Sequence, residues 1–564
     1  MHGKYDVLTV RSKKGRAAGS SQTNVSGIFS HRVSETLLQL YSMDQEDSNL
    51  LIAHQPRKLR LLYEPLCLLH TLSEVRRDRI KPGDVSYETV ESNQPKYCRN
   101  FVDAIAYICA YQKKSGYVTA VALEETPDAI VILLAANNGI DTAVQNLLEK
   151  VSVIILWIVQ NSTVQLDTKE VQGVMRILTH YVLSLNAPKI FEYYQQVNKS
   201  VSSVMGRLKT EPGLKDHGSI IKLRDWFSAH LLKEGIQLQE CDMPSLALSS
   251  YKDRELFRAL HHTPESLEQC RKFERLHKLL YKLGKHVAQC KRLVESTIGL
   301  RLSLSRGLRI ETIGGSQESR ITLLERTCTI QKISNRMFSD PTKRNMFLRQ
   351  LQQIYPGKEL DRVLSKHVFQ GKTRVHAELL VLDHFEQTGG RFLNERDKYI
   401  GCSKPACYLC HLFISCHPGR YATPPSHQKL YMNWRLPDIC ANERNVGIRI
   451  QHQQDVLSRM IDTVRRDLKN DIATGVGKRM AFPDSTAGGS STIFEIDSDL
   501  GPSMAALSLD GLRKKLDHQH EAVRGFQESH IDSRVNSWGI PLISNEGSEE
   551  AGSDDDSTTG GVEV

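Results

Sequence analysis

The stretch GCSKPACYLCHLFISCHPG, residues 401–419, sets Cys402, Cys407, Cys410 and Cys416 within fifteen positions and adds His411 and His417. Zinc favours thiolate and imidazole ligands in a tetrahedron, and two thiolates separated by two residues can chelate one ion. Cys407-Tyr-Leu-Cys410 has that spacing. The preceding DKYIGC has the pattern of a short strand, and CHLFIS that of an opening helix. Thiolates at a helix N-terminus are stabilised by its partial positive charge. Cys407 and Cys410 are therefore a candidate ligand pair.

A third ligand is available upstream. In RVHAELLVLDHFE, residues 374–386, Ala377, Leu380, Val381 and His384 share helical spacing. The spacing predicts a helix starting near Val375, with His376 and Glu378 in its first turn. This H-x-E pattern offers one imidazole ligand and one carboxylate that can stay off the metal as a proton carrier. A predicted helix, loop and strand separate His376 from Cys407. A right-handed crossover needs that much chain to bring two helix N-termini to one end of a sheet.

His376-Ala377-Glu378 followed by Pro405-Ala406-Cys407-Tyr408-Leu409-Cys410 resembles the H-x-E…P-C-x-x-C signature of zinc-dependent nucleoside, nucleotide and nucleic-acid deaminases. The wording CSKPACYLC is most similar to a little-characterised branch of that superfamily, found in fungal proteins and bacterial effectors. The resemblance covers about residues 370–440. It implies an α/β fold, a cytidine deaminase-like three-layer α/β/α domain. It further implies that His376, Cys407 and Cys410 hold Zn2+, and that Glu378 passes a proton from a zinc-activated water to the departing amine. The attacked atom would be C4 of a cytosine-type ring or C6 of an adenine-type ring, in a nucleoside, a nucleotide, RNA or DNA. In one place the chain departs from the signature. Ala406 separates Pro405 from Cys407, which reshapes the approach to the helix and leaves the CxxC pair intact.

Related deaminases carry a helix and a β-hairpin before the H-x-E helix. Just upstream of His376 the sequence reads as mostly helical, with Leu308–Ile313 (LRIETI) its only strand-like piece. A better hairpin is Tyr117–Glu124 with Ala129–Ala135, divided by Glu-Thr-Pro-Asp and ending in Asn137-Asn138-Gly139. For a run as short as AIVILLA, periodicity leaves strand and helix both open. The expectation is a split domain, with a helix and hairpin at 98–140, a helical insertion at 141–345 and the catalytic helices after it. By the resemblance, Asn137 or Asn138 would contact a sugar. Tyr421, Tyr431 and Trp434 are candidates to stack a base. Lys372 and Arg374 are candidates to meet phosphate, or are solvated loop charges.

Across the 564 residues, the expected organisation is a disordered basic segment at 1–30, a mainly helical region at 31–345, the zinc domain at 346–480 and a disordered acidic tail at 481–564. A short helix near Leu507–Leu516 is expected to interrupt the tail's disorder. A net charge of +9 is modest for this length and leans toward anionic partners without demanding them. The first twenty residues lack an apolar h-region. The apolar runs Ala129–Ala136 and Val151–Val159 fall short of the ~20 residues of a membrane span. The expectation is an intracellular protein, cytoplasmic or nuclear, with RSKKGR (11–16) a weak nuclear address and the twelve cysteines mainly thiols.

Two further helices are predicted. FERLHKLLYKLGKHVAQCKRLVES sets Leu276, Leu279, Leu280, Leu283, Val287, Cys290 and Val294 on one stripe. Its other face carries Lys278, Lys282, Lys285 and Arg292, read as a solvated basic face with a nucleic-acid surface as the alternative. Val456–Lys469 is the other helix. Three alternatives to the enzyme reading stay open. They are a local structural zinc site of Cys402, Cys407, Cys410 and Cys416 or His417, a redox dithiol, and a deaminase-like scaffold that binds protein or nucleic acid without catalysis.

Overall fold

The computed structural model describes residues 56–475 apart from 73–78, 81–92, 162–165, 167, 211–214, 233–236, 262–266, 321–327, 356–359, 363, 365–371 and 444. The chain divides into units 1–506 and 507–564; of the second, only Gly511 is described, as a helical residue. The expected tails at 1–30 and 481–564 and the basic run at 11–16 lie outside the described residues. So does the helix near Leu507–Leu516, apart from Gly511.

In chain order the helices are α1 (Pro56–Leu72), α2 (Gln94–Cys109), α3 (Thr142–Gln160), α4 (Lys169–Thr210), α5 (Gly218–His230), α6 (Met243–Lys252), α7 (Leu267–Gly299), α8 (Arg301–Leu304), α9 (Ile330–Met337), α10 (Pro341–Ile354), α11 (Ala377–Thr388), α12 (Tyr408–Cys416) and α13 (Val446–Ala473). The strands are β1 (Thr119–Glu125), β2 (Ile130–Ala136), β3 (Leu308–Ile313), β4 (Ser319–Arg320), β5 (Lys372–Thr373), β6 (Arg391–Phe392) and β7 (Gly401–Cys402).

AIVILLA is a strand, and its composition says why. Every residue of β2 is buried, which suits β-branched and other apolar side chains on both faces of a covered strand. β1 and β2 form an antiparallel hairpin in register Thr119↔Ala136 to Glu125↔Ile130. At its turn the Thr126 hydroxyl donates to Ala129 O at 2.8 Å. Beyond β2 lies β3, parallel to it, with Ile130↔Leu308 through Ala135↔Ile313. A parallel neighbour requires a crossover, and here the crossover is the helical insertion α3–α8. On its other edge β1 pairs antiparallel with both β6 and β7, with Glu124↔Phe392 and Ala120↔Cys402 in register. The result is a mixed five-stranded sheet in a mostly helical chain, while β4 and β5 form a separate ribbon.

One face of the hairpin, through Ala120, Ala122, Val131, Leu133 and Ala135, joins a core that includes Leu379, Val381 and Leu382 of α11 and Leu409 and Phe413 of α12. The residues of opposite parity, Val121, Ile132 and Leu134 among them, are equally buried. Both faces of the sheet are therefore covered. Gly401 has a specific place here. A Cβ on it would lie 2.6 Å from Val102 Cγ2 and 2.8 Å from Asp103 N, so only glycine lets β7 lie against α2. Gly389, with φ of 70°, ends α11 in the left-handed conformation that glycine adopts without steric cost.

A second core belongs to the insertion. It joins Tyr193, Tyr194, Val197 and Val201 of α4 with Leu276, Leu280, Leu283 and Val287 of α7. The predicted stripe of α7 is buried throughout. The expected solvated basic face holds at Lys278, whose side chain is 40% exposed and pairs with Glu274, but not at Lys282 and Lys285. Lys282 is 4% exposed, and its amine lies 5.3 Å from the ring centroid of Tyr193 on α4. Lys285 reaches the Tyr107 ring on α2 at 4.4 Å. Both sides of α7 face protein, which no single helical pattern reveals. By length and composition α3 is also apolar enough to cross a membrane, a property missed when only unbroken apolar runs are counted; half of its most apolar window is buried in the fold.

Candidate metal centre

His376 is the N-cap of α11, with φ −80° and ψ 155°, not a residue of its first turn as the spacing predicts. Its side chain makes no capping bond, which leaves the imidazole available. The helix start is held from elsewhere. Asn137 Oδ1, just past β2, accepts from Ala377 N at 2.8 Å, and Asn137 Nδ2 donates to Ser115 O at 2.8 Å. The approach to His376 is clamped too, since Arg374 N donates to Asn433 O and Arg435 N to Arg374 O. Val375 N donates to Ser316 Oγ at 3.0 Å.

Cys407 is the N-cap of α12, and its Sγ accepts from Cys410 N at 3.3 Å. The two helix starts meet beside β7. His376 Nδ1 lies 3.6 Å from Cys407 Sγ and 3.3 Å from Cys410 Sγ. All three ligand atoms lie within 4.8 Å of one another, on residues that are all buried. Tetrahedral zinc with ordinary Zn–S and Zn–N lengths sets sulfur and nitrogen ligands about 3.6 Å apart. The donor set and its spacing fit that ion.

Glu378, in the first turn of α11, is 4% exposed, with Oε2 3.8 Å from Cys410 Sγ. Burial raises its carboxyl above the usual carboxylate range, opposed by the His376 ring and reinforced by the Cys407 thiolate. The two cysteines split. Burial works against a charged sulfur at both, yet bonds from Cys410 and the His376 ring hold Cys407 well below its ordinary value. Cys410 is pushed well above its own, by burial and then by Cys407. Around His376, burial is outweighed by the Cys407 thiolate, and the ring is held above its usual value.

The other sequence candidates separate cleanly. Cys402, at the end of β7, lies outside the ligand group. His411 Nδ1 sits 2.9 Å from Pro424 O. His417 belongs to a second group with Glu386 and His452, where His452 Nδ1 lies 2.8 Å from Glu386 Oε2. Tyr421 joins that group by donating to Glu386 Oε1 at 2.7 Å. The structure thus brings Tyr421 to the Glu386 group and not to the candidate ligands. Trp434 is fully buried. Its indole N–H has no conventional hydrogen-bond partner and favours the thiolate form of Cys410. Asn138 accepts from Arg374, whose Nη2 also bonds Glu318 Oε1 at 2.6 Å. Lys372 pairs with Glu318 at 2.7 Å. Tyr431 is 37% exposed, with its ring 6.3 Å from that of His376.

Sequence reasoning gave Asn137 a sugar-contacting role and overlooked its hold on Ala377 N. The signal was the adjacency of Asn137 to a strand end, but its partner lies 240 positions away. No curated protein and no solved structure matches the chain. Residues 375–438, which carry every residue of this centre, match the model of the OTT_1508_deam-like deaminases, and this segment is a deaminase domain of the cytidine deaminase-like type.

Proposed function

We propose that the chain catalyses hydrolytic deamination of a nucleobase, in a nucleoside, a nucleotide, RNA or DNA, at the His376–Cys407–Cys410 centre. The observation that carries this reading is the imidazole nitrogen 3.3 and 3.6 Å from the two sulfurs, with the Glu378 carboxylate buried beside them. The working domain is layered and split. It comprises α2, the β1–β2 hairpin, β3 and the segment from β5 through α12, with the insertion α3–α8 leaving and rejoining the sheet between β2 and β3.

His376, Cys407 and Cys410 would hold zinc. When bound, the ion supplies the Lewis acidity that makes water nucleophilic near neutral pH. Glu378 stands beside the ligand group without joining it, with its carboxyl raised by burial, and is the group that would carry the proton. Tyr431, half-exposed next to His376, is the aromatic face best placed to stack a base.

A second reading is a zinc-stabilised binding module without catalysis. One observation favours it: Asn137 spends both ends of its amide on the backbone and Trp434 is fully enclosed, so two of the proposed substrate contacts are committed internally. Zinc per chain, measured by metal mass spectrometry, and ammonia release from cytosine- and adenine-containing nucleosides, nucleotides, RNA and DNA separate the two. The enzyme reading expects zinc lost in His376→Ala, and in Glu378→Gln zinc kept with turnover reduced about 10²–10⁴-fold. Zinc retained in His376→Ala would move the metal to the cysteine cluster. Zinc without turnover on any of these substrates would leave the binding module.

A further inference from the structure

Five lysines from four segments gather around two tyrosine rings. Lys189 of α4 and Lys285 of α7 place their amines 4.5 and 4.4 Å from the ring centroid of Tyr107. Lys113, after α2, and Lys282 of α7 stand 5.7 and 5.3 Å from that of Tyr193. Lys404, three residues before Cys407, donates to Lys113 O at 3.4 Å, and Lys189 donates to Ala110 O. Cation–π contact accounts for part of this arrangement, but it neutralises no charge.

Among the described residues, none forms an ion pair with Lys113, Lys189, Lys285 or Lys404. Asp103 and Glu192 act on the cluster only from outside pairing distance, and Asp103 is engaged by the Tyr399 hydroxyl at 3.0 Å. Burial, with repulsion from Lys404 and Lys285, draws Lys189 well below its ordinary value. A second observation points the same way. The Tyr107 hydroxyl and both ring nitrogens of His286 are buried without a partner, and the two rings lie 4.9 Å apart. Both residues are at least nine-tenths enclosed. Buried polar groups left unmatched are costly, and a compact set of ammonium groups with hydroxyl and imidazole donors matches phosphate oxygens.

We propose that Lys113, Lys189, Lys285 and Lys404, with the Tyr107 hydroxyl and His286, form a binding site for a phosphate-rich anion between the helical insertion and the loop that leads to Cys407. The site does not depend on the deamination reading, because occupancy is measured by binding alone. The phosphates could be those of a nucleotide or of a base-free polyphosphate.

Calorimetric titration of the full chain tests this with three probes: sodium tripolyphosphate, cytidine triphosphate and adenosine triphosphate. Wild-type protein should bind tripolyphosphate with one-to-one stoichiometry and a rise in Tm. Lys113→Gln with Lys404→Gln, both partly exposed positions, should weaken binding at least about tenfold while the far-ultraviolet spectrum is unchanged. His376→Ala should still bind, which separates this site from chelation of the metal. A nucleoside triphosphate binding about tenfold tighter than tripolyphosphate would identify nucleotide phosphates as the ligand, and equal affinities a base-free anion. The proposal is overturned if wild type binds none of the three, or if binding is lost in His376→Ala. It is equally overturned if both the Lys113→Gln, Lys404→Gln variant and a Lys189→Met, Lys285→Met variant bind as wild type does.

Discussion

The first N–H of α11 is satisfied by a side chain 240 residues earlier in the chain, because the helix's own N-cap, His376, makes no capping bond. Asn137 thereby fixes where His376 stands relative to the two sulfurs, acting as a positioning residue. Asn137→Ala should cost about 1–2 kcal/mol, through an unmatched buried N–H. It should also weaken zinc binding about 10–100-fold, the usual effect of disturbing groups behind metal ligands. Chelator competition measures the second effect, and Asn138→Ala, an exposed neighbour, is the comparison that should leave zinc affinity unchanged. Equal zinc affinity in wild type and Asn137→Ala would show that α11 starts correctly without the contact.

At the scale of the element, α7 is the helix that sequence alone misjudges. Its apolar stripe is legible from heptad-like spacing, whereas Lys282 and Lys285 of its lysine face are covered by α2 and α4. Burial holds the Lys285 amine down to about 8, with Arg292 and Arg79 adding to the effect and Asp103 opposing it. Tyr107 and His286 also face it. A lysine whose folded pKa lies below its unfolded value of about 10.4 binds fewer protons when native. Its contribution to stability therefore rises with pH from about 8 to about 10.4 and is flat below that window, by up to about 1.4 kcal/mol per pH unit. Urea unfolding at pH 7.5, 8.5 and 9.5 should show the stability of wild type relative to Lys285→Met increasing with pH. A bound polyphosphate should flatten that trend, and a difference independent of pH would place the amine in a solvated environment.

On the scale of the whole molecule, the candidate metal centre depends on chain far outside the matched segment. β7, which leads into Cys407, is paired to β1, and β1 to β2 and through it to β3, so the sheet under the centre is mostly built from residues 119–136 and 308–313. Residues 370–440 contain the ligands but only two-residue strands of their own. Expressed alone, this fragment should stay unfolded by circular dichroism even with excess zinc, whereas residues 56–475 should fold cooperatively. A folded, zinc-binding 370–440 fragment would show that the local segment carries enough apolar burial without the hairpin.

Local spacing marked the candidate chemistry: His376, Glu378, Cys407 and Cys410 were legible because zinc ligation and proton transfer would demand particular side chains at short spacings, and both helix starts lie within a few residues of them. It also marked the β1–β2 hairpin, since a turn between two apolar runs is a local signal. Tertiary structure alone decided the strand identity of AIVILLA, which periodicity left open until both faces of β2 were covered. It decided that Asn137 holds the start of α11, that Trp434 is enclosed in the core, and that Tyr421 belongs with Glu386. It also turned Lys282 and Lys285 of α7 inward. The physical reason is common to these cases. Each depends on a partner from another element, tens to hundreds of residues away, and neither spacing nor composition encodes which distant side chains will share a buried volume.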